Sequence, residues 1–205
     1  MLPEMAFGFV LVGGRSGRMG RDKTLLPYRG VPMALWQAEK LSLVCGRAAL
    51  VGKDRTPFAG SLFPFVEDGA VPRASAFGVV AALAFSPEET NLILAADVPR
   101  CPEEFLSALL EVGEAIQAPA IVPISGGRPQ TLCAVWRRSA LIPLMGRLAA
   151  GDYSLQGALM ALGAVLIPEA ETARMPGGDP SSFFNVNTPD EYEQLEHEPA
   201  ESSRP

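Results

Sequence analysis

The chain has 205 residues, 48% of them hydrophobic and 20% charged, the make-up of one ordinary globular domain with a proper core. A net charge of −6 leaves no basic excess to neutralise a phosphodiester backbone, which excludes nucleic acid as the main partner. Every apolar stretch is broken by Pro, Gly or charge, so no membrane span is predicted, and the opening MLPEMAFG carries an acid where a secretory signal has basic residues, so the expectation is a cytoplasmic protein.

FGFVLV (7–12) is a continuous apolar run of strand length, the pattern of a strand covered on both faces. The spacing of Leu35, Ala38, Leu41 and Cys45 predicts a helix over 32–45, with Gly46 as its stop. Strands follow at 48–51 and at 62–66, the latter placed at a sheet edge by Pro64. Residues 74–85 are apolar nearly all round and predict a buried helix. NLILAAD (91–97) is the clearest strand after the first, and Pro102 opens a helix through EEFLSALLEV. Strands at 120–124 and 131–136 flank the turn-rich SGGRPQ; helical patterns at 139–149 and 154–162 precede a late strand at 164–168. TPDE (188–191) joins a capping Thr, a Pro at the first helical position and a Glu three residues after the cap, and should open the last helix. Alternating strands and helices predict a three-layer α/β/α sandwich around a mostly parallel, mixed sheet. No repeat or linker divides it, so 1–197 reads as a single domain and the polar, Pro-containing 198–205 as a disordered tail.

Two scarcities narrow the chemistry. Cys45, Cys101 and Cys133 are odd in number and without C-x-x-C spacing, which fits buried free thiols better than a disulfide framework or a zinc site. The single histidine, His197, lies at the C-terminal end, so a Ser-His or Cys-His nucleophile in the core is excluded unless that end folds back. Catalysis is left to carboxylates, lysine, arginine or a hard metal ion.

LVGGRSGRMGRDKTLL (11–26) follows the first strand and holds four glycines within eight residues, more than a turn requires, as though a ligand must approach the backbone closely. Amides at Gly13 and Gly14 can line an anion or a base, and Arg15, Arg18, Arg21 and Lys23 supply charge that matches a polyphosphate. A glycine-rich turn with solvated arginines is the plainer reading of the same residues. The Walker spacing fails, because Lys23 comes three residues after Gly20, and Gly14-x-x-Gly17-x-x-Gly20 misses the dinucleotide fingerprint. In parallel sheets ligands sit beyond the carboxyl ends of the strands. Asp97, ending its strand in AADVP, is placed to hold Mg²⁺ against phosphates, or else simply caps a turn.

LVGGRSGRMGRDKTLL resembles the L-A-G-G-x-S-x-R-M-G-x-D-K-x-L-L signature of the MobA-like nucleotidyltransferases, in particular their molybdenum cofactor guanylyltransferase branch. VEDG (66–69), AADVP (95–99), GRPQTLCAVW (127–136) and FFNVNTPDEYEQL (183–195) resemble the family's later segments, so the likeness runs along nearly the whole chain. The resemblance implies the Rossmann-type fold of nucleotide-diphospho-sugar transferases. It implies that Leu11, Val12, Gly13 and Gly14 line the nucleotide, that Lys23 contacts its phosphates and Arg18 stabilises the triphosphate, and that Asp68 meets the nucleoside part. Asp97 would bind both Mg²⁺ and nucleotide. Asn185 and Asn187 match the closing asparagines, and of the two Asn187 is the better candidate for the site, its alternative being a cap before TPDE. The chain departs from the family at Val12, in place of alanine, at Gly52, in place of an asparagine, and at ASAFG (74–78), where only Gly78 is kept.

The implied reaction moves GMP from GTP to the terminal phosphate of molybdenum-loaded molybdopterin and releases pyrophosphate. Such a transfer depends on position and charge neutralisation more than on a protein nucleophile. The implied partners are GTP, a molybdopterin-type phosphorylated acceptor and, transiently, cofactor-biosynthesis or acceptor enzymes. The alternatives are a cytidylyl version, a guanylyl transfer to another phosphorylated acceptor, and a non-catalytic nucleotide-binding relative.

Overall fold

A computed structural model describes residues 6–13, 22–69 and 74–197. In chain order it forms β1 (Ala6–Leu11), a short hairpin of β2 (Pro27–Tyr28) and β3 (Val31–Pro32), α1 (Met33–Cys45), β4 (Ala48–Gly52), β5 (Phe65–Glu67), α2 (Ser75–Phe85), β6 (Thr90–Ala95) and α3 (Glu103–Ala115). Then come β7 (Ala120–Ser125), β8 (Arg128–Pro129), β9 (Cys133–Arg137), α4 (Leu141–Ala149), α5 (Leu155–Leu162), β10 (Val165–Ile167), α6 (Glu169–Thr172) and α7 (Pro189–Glu196). The main sheet runs β10-β7-β9-β6-β1-β4-β5, with β8 paired to β7. β1 is central and parallel to both β6 and β4, while β9 runs antiparallel between β6 and β7.

The apolar run of β1 feeds two cores because neighbouring side chains point to opposite faces. Val10 and Val12 pack with Ala38 and Leu41 of α1 and Phe105 and Leu109 of α3 on one side. Phe7, Phe9 and Leu11 pack with Val79 and Leu83 of α2, Leu144 of α4 and Leu159 of α5 on the other. These are the three expected layers, and no described helix is long and apolar enough to cross a membrane.

Several expectations shift by a few residues, each for a local reason. Pro64 does mark an edge strand, but β5 starts only at Phe65, and the Pro64 carbonyl accepts from Leu50 N at 2.9 Å. β6 ends at Ala95, so Asp97 lies in the turn beyond the strand and does not end it; Ala96 N makes the last bond to β1, at the Leu11 carbonyl. The strand expected at 131–136 begins at Cys133, because a turn closed by Cys133 N donating to the Gln130 carbonyl precedes it. α2 is buried along only part of its surface, and its C-terminal Phe85 is about half exposed.

The hairpin at 27–32 and helix α6 were not anticipated. Arg29 (φ 51°) and Gly30 (φ 87°) both take left-handed backbone at the hairpin tip, the geometry that joins two short twisted strands. Tyr28 then packs with Met33, Val186 and Leu195 in a small third cluster that docks α7. α7 opens on the expected capping box: Thr188 Oγ1 accepts from Glu191 N at 3.2 Å, and Glu191 Oε2 accepts from Thr188 N at 2.8 Å. His197 caps the end of α7 in an exposed position, far from the requirements of a core nucleophile. All three cysteines are buried free thiols as expected, although Cys101 and Cys133, distant in sequence, bring their sulfurs within 3.7 Å. Burial pushes the Cys45 thiol up to about 12. The segment 198–205 lies outside the described residues.

Candidate active site

A cavity of about 590 Å³ opens at the carboxyl ends of β1, β4 and β6. Leu11, Val12 and Gly13 form its lip at the end of β1, where Gly13 holds φ 127°, a conformation that side-chain-bearing residues rarely adopt. Gly14 and Arg18, together with Arg15 and Arg21, lie outside the described residues.

Lys23 re-enters the cavity on a single 3₁₀ turn (Lys23–Leu25) capped by Asp22, whose carboxylate accepts from Thr24 N at 3.0 Å and Thr24 Oγ1 at 2.8 Å. The Lys23 ammonium pairs with the Asp97 carboxylate and donates to Asn187 Oδ1 at 2.8 Å. Three residues from the start, middle and end of the chain thus meet at one point. Backbone contacts hold them there: Val186 N donates to the Asp97 carbonyl at 2.9 Å, and Glu191 Oε2 accepts from Asn187 N at 2.6 Å. Asn187 is therefore more than a neighbour of the cap, because its side chain is directed at Lys23. Asn185 takes another course and donates to the Phe183 carbonyl at 3.1 Å.

The turn that carries Asp97 is braced from α1 by two buried polar side chains that composition alone did not single out. Gln37 Nε2 donates to the Val98 carbonyl at 2.6 Å, and Lys40 Nζ donates to the Pro99 and Cys101 carbonyls at 3.0 and 2.5 Å. A buried ammonium is costly unless such partners satisfy it, so Lys40 fixes the loop and the loop accommodates Lys40. The detectable signal was a Gln and a Lys three residues apart inside a helix whose neighbours are core residues.

At the other end of the cavity Asp68, just past β5, donates its N–H to the Gly52 carbonyl at 2.9 Å, and its carboxylate stands 3.6 Å from Lys53 Nζ. Asp54, Pro57, Phe58, Ser75 and Gly78 complete this wall. Gly52 accepts no side chain: a Cβ there would lie 2.4 Å from the Val12 carbonyl oxygen and 2.8 Å from Val12 Cγ2. Lys53 had no part in the sequence reading, since GKDR reads as an exposed turn.

No group of three or more His, Cys, Asp or Glu among the described residues forms a ready-made metal cage. Asp97 and Asn187 nevertheless turn oxygen atoms toward one cationic point, now filled by the Lys23 ammonium. A hard divalent ion that takes one carboxylate and completes its shell with substrate phosphates and water fits such donors.

Residues 8–165 match the family model described as the MobA-like NTP transferase domain. The chain is 34% identical over 198 residues to the protein named "Probable molybdenum cofactor guanylyltransferase" of Chloroflexus aggregans, covering 94% of each. It is 30% identical to the molybdenum cofactor guanylyltransferase of Cupriavidus metallidurans, covering 93% of this chain and 94% of that one. Its fold superposes on the molybdopterin-guanine dinucleotide biosynthesis protein A of Archaeoglobus fulgidus with a TM-score of 0.80 at 27% identity, over 93% of this chain and 96% of that one. The chain therefore belongs to the MobA-like NTP transferase family and is a nucleotidyltransferase, with a charged cavity at the carboxyl ends of its central strands.

Proposed function

We propose that the chain is a molybdenum cofactor guanylyltransferase. A terminal phosphate oxygen of molybdopterin attacks the α-phosphorus of GTP; the new P–O bond forms as the bond to the bridging oxygen of pyrophosphate breaks, and the leaving pyrophosphate carries the electron pair away. The observation that carries this reading is the convergence of Lys23, Asp97 and Asn187 on one point. It is supported by relatives at about this identity that bear that name along nearly their full length.

In this reading the backbone of Leu11, Val12, Gly13 and Gly14 receives the nucleotide, and Asp68 meets its nucleoside part. Asp97 would hold Mg²⁺, which supplies neutralisation of phosphate charge when bound. The Lys23 ammonium, kept beside Asp97 by Asn187, turns to the phosphates and offsets the charge that grows on the leaving pyrophosphate. Arg18 adds a second cation at the triphosphate, by the resemblance of its motif. A histidine-activated nucleophile in the core is not needed, because the acceptor phosphate is itself the nucleophile.

The test is pyrophosphate release with GTP, Mg²⁺ and molybdenum-loaded molybdopterin, alongside thermal shifts with GTP, CTP, ATP and UTP. Selective stabilisation by GTP and acceptor-dependent pyrophosphate are expected. Selective stabilisation by CTP, or GTP binding without pyrophosphate in the presence of acceptor, would overturn the reading in favour of a cytidylyl enzyme or a binding protein respectively.

A further inference from the structure

The cavity has two charged ends, and the sheet sets their separation. Asp97 lies beyond β6 and Asp68 beyond β5, three strands apart in the order β6-β1-β4-β5. At the usual spacing of neighbouring strands that is about 14 Å, the span of a nucleotide laid across the strand ends with its phosphates at Lys23 and Asp97. The base then falls between Lys53 and Asp68, which line the same cavity.

Two features make that pair more than a surface salt bridge. Asp68 Oδ1 is buried and makes no hydrogen bond among the described residues, and the Lys53 ammonium at 3.6 Å is too far to provide one. A buried carboxylate oxygen without a donor is costly, and a ligand that brings N–H groups would satisfy it. Gly52, beside them, has no side chain and gives its carbonyl to Asp68 N, so polar reading of the base edge falls to its neighbour Lys53.

Resting on the guanylyl reading above, we infer that Lys53 is a specificity-determining residue, donating to the O6 carbonyl of guanine while Asp68 accepts from N1–H and the 2-amino group. Guanine sets a carbonyl next to two parallel N–H donors, matching an ammonium beside a carboxylate. Adenine lacks that carbonyl and carries a donor in its place. A site built around such charged partners rejects the base that leaves them unpaired.

The experiment is calorimetric binding with Mg²⁺, needing no acceptor, of GTP, ATP, 6-thio-GTP and inorganic triphosphate to the wild type, Lys53→Met and Lys53→Gln. Thiocarbonyl sulfur is a poor acceptor, so the wild type should bind 6-thio-GTP roughly tenfold more weakly than GTP, as expected for loss of one charge-assisted hydrogen bond. Lys53→Met should lose roughly tenfold for GTP, bind GTP and 6-thio-GTP alike, and hold inorganic triphosphate as the wild type does, while Lys53→Gln keeps a neutral donor and should lose less. If Lys53→Met keeps the wild-type ratio of GTP to 6-thio-GTP, or loses GTP and triphosphate in equal measure, Lys53 does not read the base and the inference is overturned. A wild type that prefers GTP to ATP while Lys53→Met keeps that ratio sinks this inference alone. A wild type that binds triphosphate but ATP as well as GTP sinks the guanylyl reading, and the inference with it.

Discussion

The two ends of the cavity are built differently. At the β6 end, Lys23 links Asp97 to Asn187, and the turn that carries Asp97 is tied to α1 and to the segment before α7 by Gln37, Lys40 and Val186. At the β5 end, Lys53 and Asp68 meet across a 3.6 Å contact, and the Asp68 Oδ1 at its end makes no hydrogen bond among the described residues. Preorganised charge is most valuable where charge develops during reaction, and a pocket that only recognises can leave polar groups waiting for the ligand. On the guanylyl reading proposed above, the contrast fits catalysis at the braced end and selection at the open one.

The largest break in that contrast is Asp97→Asn, which removes the carboxylate paired with Lys23. Pyrophosphate release should fall below detection, while the fold survives, because it is the main-chain carbonyl of Asp97 that accepts from Val186 N. Wild-type turnover in this variant would remove Asp97 from the mechanism. Next comes Lys23→Ala. Losing one charge-assisted donor in a water-poor site costs roughly 2.7–4 kcal/mol, a hundredfold to a thousandfold in rate. Turnover at saturating GTP should drop by about that factor, and the Michaelis constant should change less. A rise in the Michaelis constant alone would make Lys23 a uniform binding contact.

The braced end was also the more legible one in the sequence. β1 and β6 are long apolar runs, so their burial within the sheet followed from patterning, and Asp97, expected to end its strand, lies two residues beyond it in a turn. Gln37 and Lys40 stayed hidden because their partners are backbone carbonyls at 98–101, and a carbonyl leaves no mark in a sequence. The hairpin at 27–32 has two residues in each strand, too few for a period to register. At the open end, Asp68 was found through the resemblance of its segment, but Lys53 was not, because a Lys between Gly and Asp has the composition of any solvated turn.

A smaller effect is expected at the join between the two ends. In Gly52→Ala the new Cβ meets the Val12 carbonyl oxygen at 2.4 Å, so β1 or β4 must shift at the cavity lip. Overpacking of this kind costs about 1–3 kcal/mol of stability. Nucleotide affinity should fall while turnover at saturation stays near that of the wild type. Adding Val12→Ala relieves the side-chain clash and not the carbonyl one, so the double variant should recover only part of the loss, measured by GTP binding and thermal unfolding.

The smallest expected effect lies behind the braced end, where Tyr192 of α7 donates its hydroxyl to the Pro27 carbonyl at 2.7 Å and ties the last helix to the hairpin. Tyr192→Phe removes that bond at a cost of about 0.5–1.5 kcal/mol, a few degrees at most in Tm for a chain of this size. Burial, and then the Glu196 carboxylate, push the Tyr192 hydroxyl from its usual 10.0 up to about 12. The folded state therefore keeps this proton where the unfolded chain has lost it. The stabilisation is whole below about pH 10 and disappears as pH rises through about 12. Other alkaline titrations, the buried Cys45 thiol among them, occur in both proteins and cancel in the difference. Thermal unfolding of wild type and Tyr192→Phe from about pH 8 to about pH 12 should then show two curves that converge over the top of that range. Curves that stay parallel would mean that the hydroxyl titrates alike in both states and that α7 is held by its capping box and the packing of Leu195 alone.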